Sequence, residues 1–530
     1  MANQGIVYMV GAGPGDTGLF TVRGVELLAR AEVVIYDGLV NRELLRLAPA
    51  SAEIIYGGKH DRTRCVSQDE LNALLLAKAR EGKRVVRLKG GDPYLFGRGG
   101  EEAELLAGAG ISFEVVPGVS SIQSVPCCAG IPLTHRNHNS IVTGHEVPSS
   151  SANKVDWAQL AQIPGTIVVL MGLRNIRQIA ATLIAHGRLP ETPAAIVSRG
   201  TTGRQRTVAG TLSTIADLAD QANLPPPAVT VIGNVANLRK KLNWFEQRPL
   251  FGRRVVVAQR PDLARSLVAL LREQGAQVLE VPATRWGPPA DGARLDQAVA
   301  ELKFYDWILF SNPVCIDLFF ARFFQTYDDL RELGNVRLCA YGPMTAQKLR
   351  EWRLHPAAAA ADHKTPLIME AIRKCGDVRG QRFLVLRGGS AWEKVPEALA
   401  ESGGIVDAVE CYAAKPEMSD PTGDGARLVE EGADWIVFAS GMAIEHFHAR
   451  FDLPKLIARF PGTRLAIANV SIKWALDKLG LEPAVIARPN DAENLVDAIT
   501  KAIHSGDFST ISGKSRMNET DRLPEVCAIS

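Results

Sequence analysis

Short β-branched runs alternate with longer stretches of helical periodicity from Ile6 to Gly172. IVYMV (6–10), EVVIYD (32–37), RVVRL (84–88), FEVVP (113–117) and GTIVVLMG (165–172) read as buried strands. Glu70 to Arg80 and Glu101 to Ala109 repeat their apolar positions at helical spacing. Such alternation predicts α/β architecture. Polar, Ser-rich VPSSSANK near 146–155 and the Pro- and Gly-bearing WFEQRPLFGRR near 244–253 interrupt the pattern and mark boundaries. From residue 504 to 530 the chain is polar and weakly periodic, so a disordered tail is expected.

The second half repeats itself. GRRVVVAQ at Gly252 matches GQRFLVLR at Gly380, DWILFSN at Asp306 matches DWIVFAS at Asp434, and RLCAYG at Arg337 matches RLAIAN at Arg464. The three start-to-start offsets are 128, 128 and 127, which implies two similar α/β lobes. A cleft between such lobes is the natural place for a ligand.

Composition narrows the function classes. Lys plus Arg total 60 and Asp plus Glu total 58, which gives no bulk drive toward nucleic acid or an anionic membrane. No apolar run approaches the roughly 20 residues of a membrane span, and the N-terminus has no signal-peptide pattern. The 8 cysteines form no C-x-x-C pair, so scattered reduced thiols and a cytoplasmic setting are expected. Cys127-Cys128 reads as buried packing. His446 and His448 are two apart on a predicted helix and cannot share one face, so no metal site is expected.

Gly13-Pro-Gly15-Asp-Thr-Gly18 satisfies G-x-G-x-x-G, and Asp37 follows about 20 residues later. A nicotinamide-binding loop is one reading. Against it, Pro14 removes an N–H from the loop that would cradle a pyrophosphate. Further glycine turns follow later strands, at Lys89-Gly90-Gly91-Asp92-Pro93 and Pro117-Gly118-Val119-Ser120-Ser121. Several strand-end loops converging on one crevice suit a different nucleoside ligand.

VGAGPGD (10–16), VIYDGLV (34–40), VVRLKGGDPYLFGRGGEE (85–102), VVPGVSS (115–121), AGIPLTHR (129–136), IVSRGTTGRQR (196–206) and LRKKLNWF (238–245) resemble the uroporphyrinogen-III C-methyltransferases over about residues 5–246. The resemblance implies a two-lobed fold over 1–248, with lobes of about 1–137 and 138–248. It implies S-adenosylmethionine held between them by Pro14, Gly90, Gly91, Asp92, Leu95, Ser120, Ser121, Met171 and Gly200. The implied reaction methylates uroporphyrinogen III twice to precorrin-2, on the way to sirohaem or cobalamin, in a homodimer. Asp37 takes the position of the proton acceptor and Lys59 that of the donor. Asp37 reads equally as a helix N-cap, and Lys59 as a holder of a substrate carboxylate. Arg87, Lys89, Arg98 and Arg136 are further candidates to hold the substrate's eight carboxylates.

AYGPMTAQKL (340–349), VECYAAKP (409–416), WIVFASGMAIEHF (435–447) and ENLVDAI (493–499) resemble uroporphyrinogen-III synthase. This implies two flavodoxin-like parallel-sheet lobes over 249–503, one of about 252–283 plus 414–503 and the other of 284–413. The implied reaction closes hydroxymethylbilane to uroporphyrinogen III, inverting the D ring without a cofactor. Tyr412 takes the position that assists loss of the hydroxyl. Ser311, Thr345, Ser440 and Ser471 take positions of cleft hydroxyls, and Arg260 is placed to hold a carboxylate. Thr345 and Ser471 read equally as N-caps. Asn469, Val470 and Ser471 depart from the family pattern, so an active synthase stands beside a synthase-like module that only binds or regulates.

Overall fold

The computed structural model describes residues 5–60, 64–65, 67–135, 138–150, 152–289, 291–360, 365–388, 394–487, 491–505 and 511–512. Of Lys59, His60, Arg64, Cys65, Ile511 and Ser512 only the backbone is described, so the Lys59 side chain, like Arg136, lies outside the described residues.

The first lobe is a parallel sheet in the order 53–56, 33–36, 84–89, 6–11, 112–116. Val7 and Met9 pack on one face and Val10 on the other, so both faces are buried. Burial on two faces explains why these strands read as near-continuous apolar runs. Helix Gln68–Arg80 crosses one face; Ser67 and Glu70 close a capping box at its start, and Lys78 and Arg80 lie in its last turn. The second lobe has strands 206–211, 193–198, 228–232, 166–170 and 139–143 in that order. Only its last pair is parallel; the others are antiparallel.

The second half builds two sheets. The outer sheet runs 277–280, 254–257, 435–438, 464–467, 485–486, with 511–512 added at its edge, all parallel. Numbered along the chain, that order is 2-1-3-4-5-6, which begins as in flavodoxin-like sheets. The inner sheet runs 405–416, 382–388, 307–310, 337–340, 358–359. Each of its strands occupies the place of the outer strand that lies one repeat away in sequence. Each lobe therefore takes two adjacent strands from one sequence repeat and three from the other. The inner sheet departs from the expected all-parallel form, because strand 284–287 adds antiparallel to 413–416. That pair carries the chain between lobes. The tail departs as well: residues 504–505 finish helix Ala492–Ser505, and 511–512 pair beside 485–486. Residues 506–510 and 513–530 lie outside the described residues.

The outer sheet's edge strand, Gln277–Glu280, abuts the first half of the chain. A Cβ added at Gly203 would lie 2.6 Å from the Gln277 nitrogen. Covering an edge in this way removes a template for pairing with other chains. Among the described residues, no helix is long and apolar enough to cross a membrane.

Candidate active sites

Strand-end loops of the first two lobes enclose a cavity of about 500 Å³, within the roughly 300–1,000 Å³ of sites that bury a small ligand. Pro14, Gly90, Gly91, Asp92, Leu95, Ser120, Ser121, Met171 and Gly200 all line it. The first seven come from loops of the first sheet, and Met171 and Gly200 from the second. Val125, Val197, Pro227 and Val229 supply apolar wall; His145, Arg174 and Arg199 supply polar rim. These were not nominated individually from sequence, although Val197 and Arg199 stand beside Gly200 in IVSRGTTGRQR.

Backbone geometry shapes the cavity. Gly13 and Gly91 exchange hydrogen bonds, N to O at 3.2 Å and 2.8 Å. The Gly13 amide is thereby committed within the protein, and Pro14 has none to offer. The first α-helix begins only at Val22, capped by Thr21, after a separate turn at Thr17–Leu19. The dinucleotide fingerprint, in which the glycine loop opens a helix directly, is therefore not formed. At Gly118 an added Cβ would lie 2.1 Å from the Gly91 carbonyl oxygen and 2.7 Å from the Gly11 Cα, so three backbones meet where no side chain fits. Asp92 ties these loops together, accepting from the Gly118 amide at 3.0 Å and from the Tyr94 amide at 2.8 Å. Met171 and Arg199 hold φ of 56° and 49°. Left-handed backbone at non-glycine residues costs about 1–3 kcal/mol each and gathers at ligand clamps.

Asp37 ends strand 33–36 but caps no helix; Asn41 caps the following turn. Its carboxylate instead accepts from Arg87 Nη2 at 2.5 Å. Arg87 is 2% exposed, and Glu102 is fully buried 3.3 Å from it. Lys89 reaches Glu102 at 2.7 Å. Two acids and two bases thus alternate as Asp37, Arg87, Glu102 and Lys89. Burial opposes the charge on Glu102, but the Arg87 and Lys89 cations outweigh it and hold its carboxyl below the usual range. Arg87 and Lys89 are therefore not free to take substrate carboxylates, contrary to the sequence expectation. Arg98 is exposed and paired with Glu101 at 2.6 Å.

In the second half, five side chains form a path across the two lobes. Arg260 lies over the Trp286 ring at 4.8 Å, and Trp286 packs on Tyr412 with ring centroids 4.5 Å apart. Asn312 Nδ2 donates to the Tyr412 hydroxyl at 3.1 Å and to Ser311 Oγ at 3.2 Å. Arg260 comes from the outer lobe and Ser311 and Asn312 from the inner. Trp286 and Tyr412 lie on the crossing strands. Burial raises the Tyr412 phenol above its ordinary value, while the Asn312 bond acts the other way. Tyr412 therefore keeps its proton at neutral pH and has a partner for the phenolate left when it gives that proton up. Asn312 was not chosen from sequence beyond its loop; the signal available was its place before Pro313, at a helix start.

Thr345, Ser440 and Ser471 do not join this path. Thr345 lies inside helix Pro343–Glu351, fully buried, and its hydroxyl donates to the Tyr341 carbonyl at 2.8 Å. It is neither a cap nor an open cleft hydroxyl. Ser440 caps helix Gly441–Phe451 by accepting from the Ala443 amide. Ser471 is exposed within the turn Val470–Ile472, where Asn469 is the cap and takes the Ser471 hydroxyl. Arg260 already holds Asp262 through two bonds of 3.0 Å and 2.7 Å. His446 bonds Thr284 at 3.0 Å, and no metal-binding group occurs among the described residues. Cys128 is buried, but Cys127 is exposed, against the expectation of packing for both.

Known proteins give this geometry a context. Residues 6–216 match the Tetrapyrrole (Corrin/Porphyrin) Methylases, and residues 265–497 match Uroporphyrinogen-III synthase HemD. The Porphyrin biosynthesis protein HemD of Ruminiclostridium josui is 36% identical over 459 residues, which cover 85% of this chain and 90% of that protein. The S-adenosyl-L-methionine-dependent uroporphyrinogen III methyltransferase of Methanosarcina barkeri is 49% identical over 249 residues, 46% of this chain and 97% of its own. The Uroporphyrinogen-III C-methyltransferase of Bacillus subtilis is 38% identical over 334 residues, 62% of this chain and 68% of its own. The chain belongs to the tetrapyrrole methylases through its first half and to the uroporphyrinogen-III synthases through its second.

Proposed function

We propose that this protein closes hydroxymethylbilane to uroporphyrinogen III, inverting the D ring, and methylates the product twice to precorrin-2. The two activities are those of its two families, uroporphyrinogen-III synthase and uroporphyrinogen-III C-methyltransferase. One observation carries the reading: the nine residues nominated for S-adenosylmethionine wall a single inter-lobe cavity. The donor set suits that ligand. Apolar walls fit a base, glycine backbones admit close approach, and Ser120, Ser121 and Asp92 offer polar partners to a ribose or amino group. S-adenosylmethionine, when bound, supplies the methyl group on a sulfonium.

The protein's own work is alignment and proton removal. An electron-rich pyrrole carbon needs no strong base before methylation, but it must be held in line with the donor. A ring proton then leaves, and Asp37, fixed by Arg87, is the group we assign to accept it. Lys59 is assigned as donor by its position in the resemblance alone. In the second half, Tyr412 gives its proton to the departing hydroxyl of the substrate. The cleft then folds the open chain so that its ends meet. We further assign a homodimer and a cytoplasmic setting, following the methyltransferase resemblance and the free thiols among the described residues.

A second reading keeps the methyltransferase and treats the second half as a binding module. It is favoured by Ser471, whose hydroxyl turns to Asn469 rather than outward. Purified protein given hydroxymethylbilane and S-adenosylmethionine separates the two. Precorrin-2 is expected. Uroporphyrin I alone, with methylation of added uroporphyrinogen III intact, selects the second reading. Neither product from either substrate overturns both.

A further inference from the structure

Ion pairs join the two halves close to the cofactor cavity. On the turn Arg42–Leu47, Arg46 reaches Glu280 at 2.5 Å and Glu43 receives Arg272 at 2.5 Å. Arg272 also lies 3.0 Å from Glu280. None of these four side chains is more than 33% exposed. Arg46 and Glu43 belong to the methyltransferase, and Arg272 and Glu280 to the outer synthase lobe.

That turn is continuous with the cavity wall. Leu39 lines the cavity, and Asn41 both caps the turn and donates to the Gly15 carbonyl at 2.8 Å. The segment from Asp37 to Leu47 is thus held from within by the glycine loop and from without by the synthase. A second grip reaches the other methyltransferase lobe. Gly203 lies against the Gln277 backbone, and Arg204 pairs with Glu431 at 2.6 Å. Gly200, just before, lines the cavity, and the Thr201 hydroxyl accepts from the Asp16 amide at 3.3 Å. One synthase lobe therefore braces two loops, one from each methyltransferase lobe, beside the same cavity. Half-buried charges lose their compensation when one partner goes, so loop and brace shift together. A cavity whose loops are held in place in advance binds its ligand more tightly.

We propose that the outer synthase lobe is a positioning element of the methyltransferase, acting through Arg272 and Glu280 on the walls of the cofactor cavity. This rests on reading that cavity as the S-adenosylmethionine site. Linkage then runs in both directions: cofactor in the cavity steadies residues 272–280.

The full chain carrying Arg46→Met and Arg272→Met together is titrated calorimetrically with S-adenosylhomocysteine, beside wild type and Arg272→Lys. The Kd is expected to rise about five- to tenfold in the double variant, at the low end of couplings between sites. Arg272→Lys is expected to stay within about twofold of wild type, as is ring closure of hydroxymethylbilane in every variant. A folded double variant with the wild-type Kd overturns the proposal. Failure of wild type itself to bind overturns the reading of the cavity instead. If the double variant does not fold, amide exchange on wild type decides. Added S-adenosylhomocysteine is expected to slow exchange across 272–280 at least about twofold, and unchanged exchange there overturns the brace.

Discussion

Arg87 donates to Asp37 at 2.5 Å from a guanidinium that is itself closed off from solvent and paired behind to Glu102. The proposed proton acceptor is therefore aimed by a buried cation. Asp37→Ala is expected to lower methylation by about 10²-fold or more, the usual worth of a positioned acid or base. Ring closure is expected to persist. Rates of precorrin-2 formation and of uroporphyrinogen III formation, measured on the same preparation, check both halves of the statement.

The charge on Glu102 makes stability depend on acidity. Its folded value lies below the ordinary 4.5, so the stabilisation it provides is fully present above about 4.5 and fades as pH falls through the lower folded value. Thermal unfolding of wild type is expected to drop steeply below pH 4.5. Glu102→Gln is expected to start lower and fall less steeply. Glu43 at the interface runs the other way: burial raises it, so protonation on acidification relieves a cost there.

Gly388 faces the Tyr412 ring so closely that an added Cβ would lie 2.0 Å from Cζ. Gly388→Ala must push the phenol from its place between Asn312 and Trp286. The expected outcome is mostly uroporphyrinogen I from hydroxymethylbilane, with methylation of added uroporphyrinogen III unchanged. Tyr412→Phe, which keeps the ring and loses the hydroxyl, is expected to act in the same direction. Isomer analysis by chromatography reads both.

Thr345 offers the opposite case. Its hydroxyl is spent on the Tyr341 carbonyl inside the core. Thr345→Ser is expected to keep ring closure and stability close to wild type. Thr345→Val is expected to cost about 0.5–1.5 kcal/mol of stability by removing the hydroxyl's bond to that carbonyl, with the product still type III. Denaturant unfolding and isomer analysis check the pair.

Particular residues show which parts of this were legible along the chain. The glycine loops were, because Gly13, Gly91 and Gly118 are demanded by local backbone geometry that any fold placing them together must satisfy. The repeat was, because matched strands keep their order. The burial of Arg87 and Lys89 was not. Charged residues in a strand look solvent-facing until the strand is known to be central, with 33–36 on one side and 6–11 on the other. Their two-residue spacing does place both on one face, but nothing along the chain pairs them with Asp37 and Glu102. Thr345 was misread because the helix was expected to begin after it. Gly342-Pro343 marks the true start, proline being favoured in the first turn. The contacts of Arg46 with Glu280 and Arg272 with Glu43 leave no periodic trace at all, since each joins segments from opposite halves of the chain.

The exchange of strands between repeats also fixes an order of birth. Strands 254–257 and 277–280 leave the ribosome well before strand 435–438, the neighbour that completes their sheet. At roughly 5–20 residues per second they wait on the order of ten to thirty seconds, while the inner lobe closes ahead of them. The methyltransferase is already made by then, and in the finished protein it is what covers 277–280. During synthesis the first enzyme is thus a ready surface on which strand 277–280 can rest while 254–257 waits for its second neighbour.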